Sequence, residues 1–442
     1  MPRHDGIHDP GSMMDGEEPQ ADPDGEAPQA DPDGEAPQAD PDRLATSGPP
    51  DRRQDRLRSA AVVAVSAIAV TALGASLVTG RPLPTTTPST SGVSPTAAAP
   101  SATVASSSPS PTASEAPFRG YLAERSDLIQ RATLARSGVQ PYAAALDDLL
   151  AWARKAVRRD PRPAERLRIK GTEGPFVDDT ATAYGLALAH VMTGERDYGE
   201  AAARYIMAWV DTTTSTRNTC KNDGACQTSL IIGRTVPGFV FAADLLEGSG
   251  YLDDASLDRL RTWLRDVMLP TASELDNNWG DAGTFTRIVL NDYLGDQAGF
   301  DAAVGKWRKL LDLVKPDGHI PLEVARDVGG LGYTQEALDY KVAAAVIAER
   351  RGLDLWGYEG AGGGSLKGAV DYLAHYMAHP DRWPWNDAVR RRPPSAFWEL
   401  AYSHWLDPDY AALVLEGRPQ GSEGHSAVRW TTLTNGVPIN GR

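Results

Sequence analysis

The sequence predicts an all-α fold for its largest part, residues 118–415, and three observations support this. Apolar residues recur there at spacings of three and four, as at Leu257 and Leu260, which is the pattern of an amphipathic helix. Start and stop signals agree, since Asp253 can cap that helix and Pro270 ends it. No alternating run is long enough for a sizeable sheet. About a dozen helices are expected, and their short connections favour antiparallel hairpins.

Residues 1–50 are predicted to form a disordered acidic tail. A nonapeptide close to DGEAPQADP occurs three times between Asp15 and Pro41, and residues 1–42 carry 13 acids and one base. Alanine is the only apolar residue in these units, so they have no apolar face with which to stack. Chains this rich in Pro, Gly, Asp and Glu bury too little surface to offset their conformational entropy.

Residues 59–80 are predicted to be a single transmembrane helix. These 22 residues contain no charge and are rich in Ala, Val, Ile and Leu, which is enough to cross a bilayer. The basic flank at 51–58 holds four arginines, so the N-terminus is expected in the cytoplasm and the remaining chain outside the cell membrane. The alternative is a cleaved signal peptide and a secreted domain. No G-x-x-x-G face is present, and the oligomeric state stays open.

Two non-helical segments are predicted to flank the helical domain. Residues 81–117 are almost entirely Pro, Ser, Thr, Ala, Val and Gly, a composition typical of a polar and partly extended linker. From residue 416 to residue 442 the helical pattern fades. An irregular C-terminal tail is expected there.

Composition excludes some classes of protein. Residues 118–442 carry 43 acids and 37 bases, so the domain lacks the basic excess of a general nucleic-acid binder. Its two cysteines, Cys220 and Cys226, are too few for a disulfide-built scaffold or a four-cysteine zinc site. An extracellular location favours a disulfide between them, with two free thiols as the alternative. No metal site is expected.

Two polar stretches stand out because core packing does not require them. One is DNNWG at 276–280, and the other is DGHIPLEVAR at 317–326, with Tyr333 seven residues after Arg326. Two asparagines, then DG-x-(I/L)-P-x-E-x-x-R, then a tyrosine at this spacing resemble the alginate lyases of polysaccharide lyase family 5. Stretches at 178–210 and 393–402 extend the likeness. The resemblance implies an incomplete (α/α) toroid with a cleft across its wide end.

The same resemblance implies β-elimination in a uronate-containing polysaccharide, with Asn278, Arg326 and Tyr333 as catalytic residues. The C5 proton is weakly acidic while the adjacent carboxylate keeps its charge, so a donor must neutralise that group. Asn278 and Arg326 can supply donors. Tyr333 would remove the proton and then protonate the leaving O4. No cofactor is needed.

One position departs from the family pattern. Family members commonly have His directly after the second Asn, whereas this chain has Trp279, whose indole cannot accept a proton. The base role then rests on Tyr333, or on His190 or His319 if the fold brings either into the cleft. Loss of a base on one face could restrict which uronate epimer is handled. The expected substrate-binding residues are Trp279, Asn277, Glu323, His319 and His190.

Tryptophan rings can stack on sugars. The position of each tryptophan in the predicted helices and loops indicates whether it packs in the core or contacts a sugar. Trp152, Trp209 and Trp263 sit at core spacing, and we interpret them as packing residues. Trp279, Trp356, Trp383 and Trp385 lie in loop-like regions and are the better candidates for contact with a sugar.

Other interpretations stay open at this point. Asn277 and Asn278 could cap a helix, Arg326 and Glu323 could be a surface ion pair, and Tyr333 could be a packing residue. A glycoside hydrolase on a similar toroid is one functional alternative. Its carboxylates would come from Asp178, Asp179, Glu323 and Glu399. A catalytically inactive glycan-binding domain is the other, motivated by Trp279.

Overall fold

The structure is a computed structural model that describes residues 119–220, 226–424 and 426–439. The predicted acidic tail, basic flank and transmembrane helix lie outside these residues, as does the predicted linker. The described part is built from α-helices. They are α1 (Arg125–Arg136), α2 (Tyr142–Ala156), α3 (Pro175–Thr193), α4 (Arg196–Thr212), α5 (Gln227–Thr235), α6 (Pro237–Leu246), α7 (Asp254–Trp263), α8 (Asn278–Leu294), α9 (Gln297–Leu311), α10 (Pro321–Val324), α11 (Gly330–Arg350), α12 (Leu366–Ala378), α13 (Phe397–Trp405), α14 (Pro408–Gly417) and α15 (Thr431–Thr434).

Local sequence signals set several of these boundaries. The carboxylate of Asp253 accepts a hydrogen bond from the Ser256 amide and caps α7 as predicted. Pro175 occupies the first turn of α3, where its missing N–H costs nothing. Helices that follow one another pack side by side, as α1 with α2, α3 with α4, and α8 with α9. Two residues separate α3 from α4, so that pair forms an antiparallel hairpin.

Extended structure is small in the described residues. The strands β1 (Arg166–Leu167) and β2 (Ser215–Thr216) pair in parallel. Shortly after β2, Cys220 and Cys226 form a disulfide.

A single apolar core runs through the domain. The largest fully buried side chains include Trp209, Trp307, Trp398 and Trp430. In the described part of the chain, one helical stretch, Gln227–Leu246, is long and apolar enough to cross a membrane, and it is wholly buried within the domain. It is therefore a core element in this structure.

The segment from residue 416, predicted to be an irregular tail, packs into the core. Helix α14 continues to Gly417, and Trp430 is only 1% exposed. Its ring meets Trp152 at 5.1 Å and Tyr184 at 5.5 Å between centroids. Short, mostly non-helical segments carry no periodic pattern, so no local signal indicates that this one completes the core.

Three elements position the site residues. Helices α8 and α11 pack against each other, and α10 packs against α11. The side chains of Asp281 on α8 and Lys341 on α11 form a buried ion pair between the two long helices. This pair joins the first turn of α8 to the middle of α11.

Candidate active site

Asn278 lies in the first turn of α8 and is fully buried. Its backbone N–H donates to Glu323 Oε1 at 2.6 Å, and its side-chain Oδ1 accepts from Arg326 Nη1 at 3.4 Å. The amide nitrogen Nδ2 is buried and has no hydrogen-bond partner among the described residues. A buried donor without a partner is costly in a folded protein. The side chain is thus held by its oxygen and presents an unused donor.

Arg326 and Tyr333 form the centre of the site. Arg326 directly precedes a single 3₁₀ turn, Asp327–Gly329, and Tyr333 lies in the first turn of α11. The guanidinium carbon of Arg326 is 3.8 Å from the centroid of the Tyr333 ring. A Cβ at Gly329 would lie 2.7 Å from that ring, so only glycine leaves space for this packing. The predicted residues Asn278, Arg326 and Tyr333 therefore adjoin one another through Arg326.

Glu323 holds the backbone of Asn278 in this arrangement. It is fully buried in α10, and its Oε2 has no hydrogen-bond partner in the described part of the chain. Burial, with a further contribution from the nearby charge of Asp281, raises the pKa of Glu323 to about 7. In this structure its carboxyl contacts the Asn278 amide, and its predicted contact with substrate stays a prediction.

A further arginine, Arg392, lies beside Tyr333, and the sequence did not predict it. The guanidinium of Arg392 lies 5.1 Å from the Tyr333 ring centroid, and Arg392 Nη1 is 3.4 Å from Glu336 Oε2. Glu336 also pairs with the buried Arg234. The run Arg390–Arg392, next to a stretch quoted for the family resemblance, was a signal that could have indicated it. The site thus combines one phenol with the guanidinium groups of Arg326 and Arg392, a composition suited to an anionic ligand.

Comparison with known proteins shows to which family the chain belongs. A family model for alginate lyase matches residues 99–383. The chain belongs to the alginate lyase family. It is a polysaccharide lyase. The matched region begins within the predicted linker and ends shortly before Trp385. Comparison with curated proteins gives no match.

Solved structures of alginate lyases share the fold. An alginate lyase from Bacteroides ovatus is 19% identical, with a TM-score of 0.56 over 72% of this chain and 99% of that one. Alginate lyase A1-III from Sphingomonas species A1 is 17% identical, with a TM-score of 0.58 over 73% of this chain and 97% of that one. A His-to-Ala variant of A1-III complexed with tetrasaccharide gives 17% identity and a TM-score of 0.59, covering 74% of this chain and 99% of that one.

Trp279, which was predicted to lie in a loop, lies in a helix. It occupies the first turn of α8 and is 4% exposed within the apolar core. Its ring packs with the core in this structure, and its predicted role in substrate binding stays a prediction. Asn277 is the helix cap, accepting a hydrogen bond from the Trp279 amide at 3.1 Å. The capping interpretation accounts for Asn277, whereas Asn278 faces Arg326.

The two predicted histidines lie in different places. His319 Nδ1 lies 2.7 Å from Asp317 Oδ1, and the His319 ring is 4.8 Å from the Trp385 ring. His190 lies in the last turn of α3, where Nδ1 contacts the Glu195 carbonyl oxygen at 2.9 Å. The ring of His190 packs edge-on against Tyr251. The contacts of His190 in this structure are therefore with Glu195 and Tyr251, and its role as a base stays a prediction.

The carboxylates of the hydrolase alternative have other partners. Asp179 accepts from the Trp209 indole at 2.9 Å. Glu399 is 1% exposed at its side chain and pairs with Arg418 at 2.8 Å. The hydrolase alternative is thus set aside by family membership and by these buried contacts. In the described residues, no group of three His, Cys, Asp or Glu side chains could hold a metal ion.

Proposed function

We propose that this protein cleaves a uronate-containing polysaccharide of the alginate type by β-elimination. Tyr333 is the base and acid, and Asn278 and Arg326 neutralise the carboxylate at the cleavage position. The observation that carries the proposal is the contact of Arg326 with both other residues, at 3.4 Å to Asn278 Oδ1 and 3.8 Å to the Tyr333 ring. The similar structures are alginate lyases, one of them complexed with a tetrasaccharide.

The first chemical requirement is stabilisation of charge on the uronate carboxylate. Removal of the C5 proton places a developing negative charge on this group, so fixed donors beside it lower the barrier. The unpartnered Nδ2 of Asn278 is one donor. The guanidinium of Arg326 is a second donor, with the planar fork that matches a carboxylate. Both are held before substrate arrives, because Asn278 Oδ1 and the Tyr333 ring already fix Arg326.

The second requirement is proton transfer. The Tyr333 oxygen, as phenolate, takes the proton from C5, and the electron pair of that C–H bond forms the C4–C5 double bond. The C4–O4 bond breaks, and the phenol formed in the first step returns its proton to O4. Arg326 and Arg392 lie over the Tyr333 ring and place positive charge beside the site of proton transfer. The step consumes neither water nor metal.

Because the Tyr333 hydroxyl acts as both base and acid, it restricts the stereochemistry of the sugar that can be cleaved. The C5 proton and O4 must lie on the same face of the sugar, as in D-mannuronate and D-glucuronate units. L-guluronate has them on opposite faces and requires a second proton acceptor. Trp279 is buried in the core, and its indole has no basic nitrogen. We therefore propose that the enzyme acts on units of the first kind.

The location of the activity follows from the sequence expectation. The uncharged segment 59–80 and its basic flank would anchor the chain in the cell membrane with the catalytic domain outside. Cleavage after this segment would release the same domain as a secreted enzyme. The anchored form would be supported if the membrane fraction contains one polypeptide that carries both residues 1–50 and the catalytic domain.

The function is tested by ultraviolet absorbance of polymannuronate, polyguluronate and glucuronan incubated with the full chain. We expect absorbance from the new conjugated double bond with polymannuronate or glucuronan, and a loss of about 10²- to 10⁴-fold in Tyr333→Phe. Tyr358→Phe is the control, since that phenol bonds Asp312 outside the site. Binding of these polymers without absorbance would favour the inactive glycan-binding alternative. Equal rates for wild type and Tyr333→Phe would exclude Tyr333 as the base.

A further inference from the structure

We propose that Trp385 and His319 form a stacking platform for a sugar of the same polymer, away from the sugar that is cleaved. This inference rests on the proposed function for its ligand class. Trp385 is 44% exposed and is one of the few large apolar side chains at the surface of the described residues. Its ring centroid lies 4.8 Å from that of His319. An exposed aromatic face beside an active site is a typical sugar contact, because pyranose C–H groups pack on it.

The platform is fixed in place. The indole N–H of Trp385 donates to the Tyr372 hydroxyl at 2.7 Å, and Tyr372 itself lies on α12. Burial raises the pKa of Tyr372 to about 12, so the hydroxyl stays neutral. A ring held by such a hydrogen bond loses little side-chain entropy when a ligand stacks on it.

The turn that carries His319 is built against the same helix. Gly318 has φ 93°, and a Cβ there would lie 2.2 Å from the Gly368 carbonyl oxygen of α12. Only glycine fits at that position. The glycine of the DG-x-I-P motif thus sets His319 beside Tyr372 and Trp385.

The platform is continuous with the reactive centre. Asn386 Nδ2 donates to Asp327 Oδ1 at 2.5 Å, and Asp327 directly follows Arg326. The Arg390 amide donates to the Val328 carbonyl oxygen at 2.8 Å. The segment then brings Arg392 over the Tyr333 ring. Residues 385–392 therefore run from the platform to the catalytic tyrosine, along the turn that carries Arg326.

The charges at the platform indicate what kind of contact it makes. Asp317 lies against His319, with 63% of its side chain exposed. A uronate carboxylate close to Asp317 would be repelled. The contact is therefore with the apolar face of a sugar ring, while the polymer's carboxylates lie nearer to Arg326 and Arg392. The match to the family model ends at residue 383, so Trp385 falls outside the matched region.

The test compares the full chain with Trp385→Ala and Trp385→Phe on mannuronate trisaccharide and hexasaccharide. We expect KM for the hexasaccharide to rise roughly tenfold in Trp385→Ala, as for loss of one aromatic contact, and to rise less in Trp385→Phe. KM for the trisaccharide should rise less than KM for the hexasaccharide. Trp405→Ala is the control, because Trp405 packs against Trp356 and Tyr410. A hexasaccharide KM equal to that of wild type in Trp385→Ala would overturn the platform.

A second readout separates this inference from the proposed function. Calorimetry of hexasaccharide binding is run on Tyr333→Phe and on Tyr333→Phe combined with Trp385→Ala, so that the sugar is not cleaved during the measurement. If wild type shows no absorbance, while Tyr333→Phe binds the hexasaccharide and the double variant binds it roughly tenfold more weakly, the platform is supported and the proposed lyase mechanism fails alone. Equal affinities, or no binding by Tyr333→Phe, would overturn the platform.

Discussion

Lys341 and Asp281 form an ion pair with 2% and 3% of their side chains exposed, one on α11 and the other on α8. Each residue lies on the helix that carries a catalytic candidate, since Tyr333 is on α11 and Asn278 on α8. Buried charges of this kind are costly unless paired. The pair therefore couples the stability of the domain to the spacing of its site.

Lys341→Met is expected to lower the free energy of unfolding by about 3–5 kcal/mol, because it leaves the Asp281 carboxylate buried without its partner. The double variant Asp281→Asn with Lys341→Met should recover much of this loss. Lys367→Met is the control, since that ammonium is 38% exposed and its pairs contribute about 1 kcal/mol or less. Urea unfolding measures all three. A loss in Lys341→Met as small as in the control would contradict this account.

Glu323→Gln is expected to change how stability depends on pH. Burial raises the pKa of Glu323 from 4.5 to about 7, so folding favours its protonated form. The stability that the protonated carboxyl contributes is fully present below pH 4.5 and is lost as the pH rises through about 7. This lowers the free energy of unfolding by about 3 kcal/mol. Glutamine stays neutral and can still accept the Asn278 N–H through its oxygen.

Urea unfolding of wild type and Glu323→Gln at pH 4.5 and pH 8 measures this change. Relative to the variant, wild type should be less stable at the higher pH by about 3 kcal/mol. Other buried acids, such as Asp339 with a pKa of about 7, titrate in both proteins and cancel. A difference between the two proteins that stays constant with pH would show that Glu323 does not titrate in this range.

Arg326→Lys is expected to lower kcat/KM roughly 100-fold, the effect of removing one fixed donor from a charge-stabilising site. Lysine keeps the charge but loses the planar fork that bonds Asn278 and stacks on Tyr333. The double-bond absorbance assay measures the rate. Arg265→Lys is the control, since Arg265 pairs with Asp266 at an exposed position. Full activity in Arg326→Lys would mean that a positive charge at this position is enough for catalysis, without the planar guanidinium.

The sequence predicted the helical domain from its local periodicity, and the resemblance to the alginate lyases indicated the three central site residues. Helical periodicity records which face of each segment is buried, and the spacing from Arg326 to Tyr333 spans one turn and the start of one helix. Family membership is shown by the match to residues 99–383. The roles of Asn278, Arg326 and Tyr333 stay a proposal.

Other features depend on contacts between distant segments and left no local pattern. Trp279 was placed in a loop because the polar residues around it hide the start of α8, yet its ring is 4% exposed. Glu323 looked like a surface charge, but its Oε1 accepts the amide of Asn278, 45 residues earlier. Trp356 and Trp383, predicted to contact sugars, are each 6% exposed. Of the four tryptophans predicted to contact sugars, Trp385 is the one whose ring is exposed.

The C-terminal segment gives the last prediction, because it completes the core. Trp430 packs against Trp152 and Tyr184, and Arg418 forms two 2.8 Å hydrogen bonds to Glu399. Trp430→Ala is expected to lower the free energy of unfolding by about 3–5 kcal/mol, the usual cost of deleting a buried aromatic side chain.

Truncation after Gly417 extends that prediction. It removes Trp430 and leaves Glu399 buried without Arg418, so we expect no cooperatively folded domain. Removal of residues 440–442 is the control and should leave thermal unfolding unchanged. Circular dichroism and thermal unfolding of the two truncated chains measure this difference. A folded chain ending at Gly417 would mean that the segment is dispensable and that its burial adds little to stability.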